Sequence, residues 1–165
     1  MALQIIELGV VPVVTRKDPD WLKKLFGSFP SAIDLALCRF PDHKEWPEFD
    51  PTKTYDVAWF EGETFANWAA VDKRLTEEDF GPDRRTYPLH LATEVVPRCD
   101  ELWRKCQDGK GPRWIYASSA KSFWRHGVGD LCLPCVHVSP GDRRVRARWV
   151  ECGFRDGDGF LVPRE

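Results

Sequence analysis

The chain lacks the short signatures that announce common chemistries. It holds no Gly-x-x-x-x-Gly-Lys phosphate loop, no Gly-x-Ser-x-Gly elbow and no His-Glu-x-x-His, which argues against nucleoside triphosphatases, common serine hydrolases and zinc proteases. Internal repeats and low-complexity tracts are also missing, so solenoid architectures are set aside. The apolar stretch from Met1 to Val14 is far shorter than a bilayer span and lacks a basic n-region and a small-residue cleavage site. It reads as a buried first strand, and the expectation is a cytoplasmic protein with no membrane partner. A single Cys-x-x-Cys, Cys132 to Cys135, has no second pair to complete a four-ligand zinc site. A zinc deaminase pattern also fails, because Pro134 lies between the two cysteines instead of before them. No metal is expected, and six cysteines without a secretion signal read as reduced thiols.

What is present is an ordinary globular composition with a large aromatic load. Hydrophobic residues make up 42% and charged residues 30% of 165 positions, and eight tryptophans supply apolar area for one core or one groove. The net charge of -2 is unevenly spread. Positions 1–80 hold nine Lys/Arg against fifteen Asp/Glu, whereas 81–165 hold fifteen against eleven. An anionic ligand would therefore be met by the C-terminal half.

Periodicity and turn signals place the elements. Asp18-Pro19 caps a short helix on Trp21, Leu22, Leu25 and Phe26 that Gly27 closes. Ala32 to Phe40 reads as a strand, 41–54 as a long loop carrying Trp46 and Phe49, and Tyr55 to Phe60 as a second apolar run. Phe65, Trp68, Val71 and Leu75 have helical spacing, predicting a helix over 63–75. Thr86 to Thr93 reads as extended, and Val96-Pro97 opens a helix to Gln107 in which Cys99 and Cys106 share an apolar stripe. Downstream, Leu131 to Val138, Arg143 to Cys152 and Phe160 to Val162 are expected as an antiparallel meander, with turns at 139–142 and 156–159. The fold class is α+β in one domain, 1–165. An N-terminal αβ layer is expected over 1–85, and a ligand-binding, mostly antiparallel β-rich half over 86–165.

Two constellations in that half carry candidate chemistry. The first joins His90, Thr93, Tyr116, Ser118, Ser119 and Ser122 with an acid near the last strand, Asp158 or Glu151. A tyrosine at a strand end, followed by hydroxyls and a helical turn, presents a π-face beside donors, which suits a heteroaromatic ring bearing phosphates. Taken singly, each residue also fits a core aromatic, a cap or a structural imidazole. The second is Arg143-Arg144-Val145-Arg146-Ala147-Arg148-Trp149, in which strand alternation sets Arg144, Arg146 and Arg148 on one face and Val145, Ala147 and Trp149 on the core face. With Lys121 and Arg125 it offers a basic surface for nucleic acid or a pyrophosphate. The other reading is a charged edge strand that resists edge-to-edge pairing.

The segment Ile115-Tyr116-Ala117-Ser118-Ser119-Ala120-Lys121-Ser122, with Leu89-His90-Leu91-Ala92-Thr93 upstream and Gly157-Asp158-Gly159-Phe160 downstream, resembles poly(ADP-ribose) polymerase-type ADP-ribosyltransferases over residues 86–163. The resemblance implies NAD as cofactor and transfer of ADP-ribose to a protein or nucleic-acid acceptor, by an enzyme either active or degenerate. It further implies that His90 holds the ribose, Tyr116 stacks on nicotinamide, Ser122 bonds the carboxamide and Asp158, where the family has glutamate, is the catalytic acid. The other readings that stay open are a noncatalytic binding module for nucleic acid, using Arg144, Arg146 and Arg148, and a protein adaptor or inhibitor acting through the Trp46/Phe49 loop.

Overall fold

A computed structural model describes residues 3–8, 54–81, 84, 86, 90–106, 110–119, 124–125, 131–140 and 145–164. The helix expected at 19–27, the strand at 32–40 and the loop at 41–54, except Thr54, lie outside the described residues. So do Lys121, Ser122 and Arg144.

The fold is α+β. Its strands are β1 (Leu3–Glu7), β2 (Tyr55–Phe60), β3 (Trp114–Ala117), β4 (Trp124–Arg125), β5 (Leu131–His137), β6 (Val145–Trp149) and β7 (Asp158–Pro163). All seven join one sheet. β7 and β3 form its centre, paired in parallel, with β2 antiparallel to β7 and β1 antiparallel to β2. β5 takes β6 along residues 132–136. It also pairs with β3 at 135–137 and β4 at 131–132, so β3 and β4 share its opposite edge.

Each face of the sheet carries a core, because alternate residues of the central strands are apolar in both directions. On one face, Val57, Ile115, Ala117, Val136 and Leu161 pack with Leu91, Val95, Cys99 and Leu102. On the other, Ala58, Phe60, Tyr116, Leu133, Phe160 and Val162 meet Trp68, Val71 and Leu75 of helix α1 (Trp68–Glu77), with Phe154 among them. Asn67 starts α1, its Oδ1 accepting from Ala70 N at 3.1 Å, five residues after the expected start.

Three expectations are corrected. The stretch 86–93 is not extended throughout: a π-helical turn, Leu91–Val95, leads through a 3-10 turn, Val96–Arg98, into α2 (Cys99–Lys105). The buried positions 91, 95, 99 and 102 follow a helical repeat, and Pro97, which has no N–H, sits where the hydrogen-bond pattern changes. β1 is not buried but lies at the end of the strand order, with Ile5 44% exposed. β1 and β2 belong to the same sheet as the C-terminal strands. β7 does not continue the meander from β6 but inserts between β2 and β3, already including Asp158 and Gly159. A Cβ on Gly159 would stand 2.8 Å from Val57 Cγ1 and 2.9 Å from Pro112, so this crossing requires glycine. Among the described residues no helix is long and apolar enough to cross a membrane.

Candidate functional site

The sheet brings together one member from each arm of the first constellation and one from the second. Parallel pairing sets Asp158 opposite Trp114, and Tyr116 two residues on lies on the same face. Arg148 reaches that face from β6, opposite Leu133. Its Nη1 donates to the Tyr116 hydroxyl at 3.0 Å, and the hydroxyl in turn donates to Asp158 Oδ1 at 3.3 Å. Asp158 Oδ2 accepts the Arg155 N–H at 2.7 Å and lies 3.7 Å from the guanidinium. The turn 155–158 is closed a second time by Asp158 N donating to Arg155 O at 2.9 Å. An aspartate capping its own turn in this way is a common local choice.

Burial sets the electrostatics. Asp158 is enclosed, and desolvation holds its carboxyl above the ordinary range, although the Arg155 N–H, Arg148 and Tyr116 pull the other way. Burial also pushes the Tyr116 phenol well up, with Cys135 and Asp158 adding to it, so this hydroxyl stays protonated. Burial works against the charge on Arg148, but Tyr116 and Asp158 more than offset it and leave the guanidinium above its usual value. The side chain of Arg148 is still 30% exposed.

That exposed side opens onto a cleft of about 670 Å3, lined by Thr64, Phe65, Arg148, Arg155, Asp156 and the 152–154 segment. Phe65 and Phe154 exchange backbone hydrogen bonds at 2.8 Å in both directions, tying the β2–α1 connection to the 150–157 loop. Asp156 is held from the other side: its carbonyl accepts from Trp59 Nε1 and its Oδ1 from Gly62 N. The Arg148 guanidinium lies 5.4 Å from the Phe154 ring centroid and also donates to Gly153 O. Its head is thus fixed by an aromatic face, a phenol, a carbonyl and a carboxylate.

The remaining expected site residues lie elsewhere. His90 packs its ring 4.8 Å from Tyr55, in the core on the opposite face of the sheet from Tyr116. The two therefore do not share a pocket. Tyr116 is fully buried, edge-on to Phe154 at 5.1 Å and tilted against Phe160 at 5.8 Å, so its π-faces are taken by neighbours instead of a ligand. Ser118 is buried, its hydroxyl donating to Leu161 O and 3.0 Å from Thr86 Oγ1, while its carbonyl accepts Arg84 Nε at 3.0 Å. Ser119 is also buried, and Glu151 is exposed on the turn after β6, outside the cleft lining. Thr93 belongs to the π-helical turn and Arg125 to β4.

The arginine strand is oriented opposite to the expectation. Arg146 and Arg148 face Trp114 and Phe154, Arg146 at 5.9 Å from the Trp114 ring, while Trp149 is 40% exposed. The antiparallel register with β5 places Arg148 beside Leu133 and Arg146 beside Cys135, on the face of the second core. Cys132 and Cys135 join the cores on opposite faces of β5, because an i, i+3 spacing on a strand points the side chains apart. Among the described residues no three His, Cys, Asp or Glu side chains converge to hold a metal.

Sequence reading missed Phe154 as a partner of Arg148, and Phe65 and Arg155 as residues that line the cleft with it. Phe65 and Phe154 are 89 positions apart, and no local pattern joins them. It also missed Arg84, fully buried and ion-paired with Asp72, whose pKa burial lowers to about 10 and which anchors the exit of β3. Comparison with protein-family models, with curated proteins and with solved structures finds no match to this chain.

Proposed function

We propose that this chain is a noncatalytic binding module for a phosphate-bearing ligand, taken up in the cleft at Arg148. The observation that carries the reading is the arginine itself: a guanidinium held by Tyr116, Asp158, Phe154 and the Gly153 carbonyl, on a residue that lines the cleft and is 30% exposed. Arginine has five donors in a planar fork that matches phosphate oxygens, and a pre-set fork loses little freedom on binding. Binding is favoured over the transfer role that the resemblance implies because Asp158 and Tyr116 hold the arginine and do not line the cleft. Calorimetric titration with inorganic phosphate tests the reading. Saturable uptake that weakens with added salt and with Arg148→Lys supports it, and no uptake at tens of millimolar refutes it.

NAD-dependent ADP-ribosyl transfer is the second reading, favoured by one observation. Tyr116 of β3 and Asp158 at the start of β7, to which the resemblance assigns the stacking and acid roles, are hydrogen-bonded neighbours. It needs a ribose contact other than His90 and a movement of Tyr116. Release of nicotinamide from NAD, abolished in Asp158→Asn, is the outcome it requires.

A further inference from the structure

We infer that the ligand is a single nucleotide, with its flat nitrogenous ring against Phe65 and its phosphate monoester between Arg148 and Arg155. This rests on the phosphate-binding reading above and adds the ring.

Three observations carry it. The cleft, at about 670 Å3, is in the size range of small-molecule sites and suits one nucleotide unit, not a duplex. Its lining sets an aromatic wall beside two guanidinium groups. Phe65 is half-buried, stands edge-on to Phe60 at 5.6 Å and is locked to Phe154 through its backbone, so the wall is rigid and its free surface faces the cleft. Stacking on such a ring is tolerant of base identity, because every base has a π-face. Arg155 is exposed, and its backbone is pinned by Asp158, which brings a second cation to the same lining.

The lining also limits the ligand's charge. Asp156 stands in it with one carboxylate oxygen engaged by Gly62 N. Its negative charge opposes a second phosphate, while its other oxygen suits a sugar hydroxyl or a ring amine. A long polyanion is disfavoured for a further reason. Arg146, the next arginine on the same strand face, lies over Trp114 instead of projecting with Arg148 as a phosphate ladder would require.

The test is a calorimetric series on the full chain with adenosine 5′-monophosphate, ribose 5-phosphate, inorganic phosphate and adenosine. The nucleotide is expected to bind about tenfold or more tightly than ribose 5-phosphate. Phe65→Leu should erase that difference while leaving ribose 5-phosphate unchanged, and Arg155→Ala should weaken every phosphate ligand. Equal affinity for the nucleotide and ribose 5-phosphate overturns the nucleotide inference while the phosphate reading stands. Adenosine binding as tightly as the nucleotide overturns the phosphate reading. No binding by any of the four overturns both. The series on the unmodified chain decides the matter even if Phe65→Leu does not fold.

Discussion

Replacing Tyr116 by phenylalanine isolates the network behind the cleft. The ring keeps its packing against Phe154 and Phe160, so no cavity larger than an oxygen atom forms. What disappears is the hydroxyl that accepts from Arg148 at 3.0 Å and donates to Asp158 at 3.3 Å. Asp158 Oδ1 is then left without that donor in a buried setting, and an unsatisfied buried polar group costs about 1–3 kcal/mol. Arg148, partly exposed, recovers part of its loss from water, so about 2 kcal/mol is the expected destabilisation. For a chain of this length that corresponds to a Tm lower by about 4–8 °C, read by calorimetric or circular-dichroism melting. A double-mutant cycle with Asp158→Asn should return a coupling of about 0.5–3 kcal/mol, as for residues in one network. A Tyr116→Phe protein melting within a degree of the parent, or additive single effects, would refute the linked triad.

Other outcomes follow from the same packing. Gly159→Ala forces a methyl against Val57 and Pro112 and should destabilise by about 1–3 kcal/mol, measured by urea unfolding. Asp158 has a folded pKa raised above its unfolded value near 4, so its contribution to stability is fully present below about pH 4 and is lost as pH rises through the folded value. Wild type should therefore lose Tm relative to Asp158→Asn as pH rises above about 4, whereas a relative gain would show a depressed pKa instead. Of the five described cysteines, Cys99, Cys106, Cys132 and Cys135 are buried and only Cys152 is partly open, in the cleft lining. Burial pushes the Cys135 thiol up strongly and Cys106 up as well. Native-state labelling followed by peptide mapping should find Cys152 modified first among these five, and more slowly with phosphate ligand present. Faster labelling of Cys135 would contradict the packing.

Much of the secondary structure was legible because its signals are local. β2 and β5 match the expected apolar runs within a residue, and α1 keeps the Trp68, Val71 and Leu75 spacing that predicts it. The sheet order was not legible. Which strand flanks β7 is decided by a crossover from β2 and a parallel pairing with β3 across some forty residues, and strand periodicity is the same whichever neighbour is chosen. The site was half legible for the same reason. Tyr116, Asp158 and Arg148 each stand out as residue types, but the chain pattern assigns Arg148 to a separate surface and His90 to the tyrosine's pocket. Only the register of β5 with β3 and β6 brings the arginine over the phenol, and only the two-faced burial of the sheet sends the imidazole to the other side.

The central claim is that Arg148 is a pre-set anion receptor at the cleft. Nitrogen-15 correlation spectroscopy of the arginine side-chain Nη–H groups, with Arg148→Lys supplying the assignment, observes that receptor directly. A slowly exchanging Arg148 signal is expected before ligand, held by the Tyr116 and Asp158 contacts, with a saturable shift of that signal on adding adenosine 5′-monophosphate. A signal that stays unmoved at millimolar nucleotide, while other arginines shift, would contradict it.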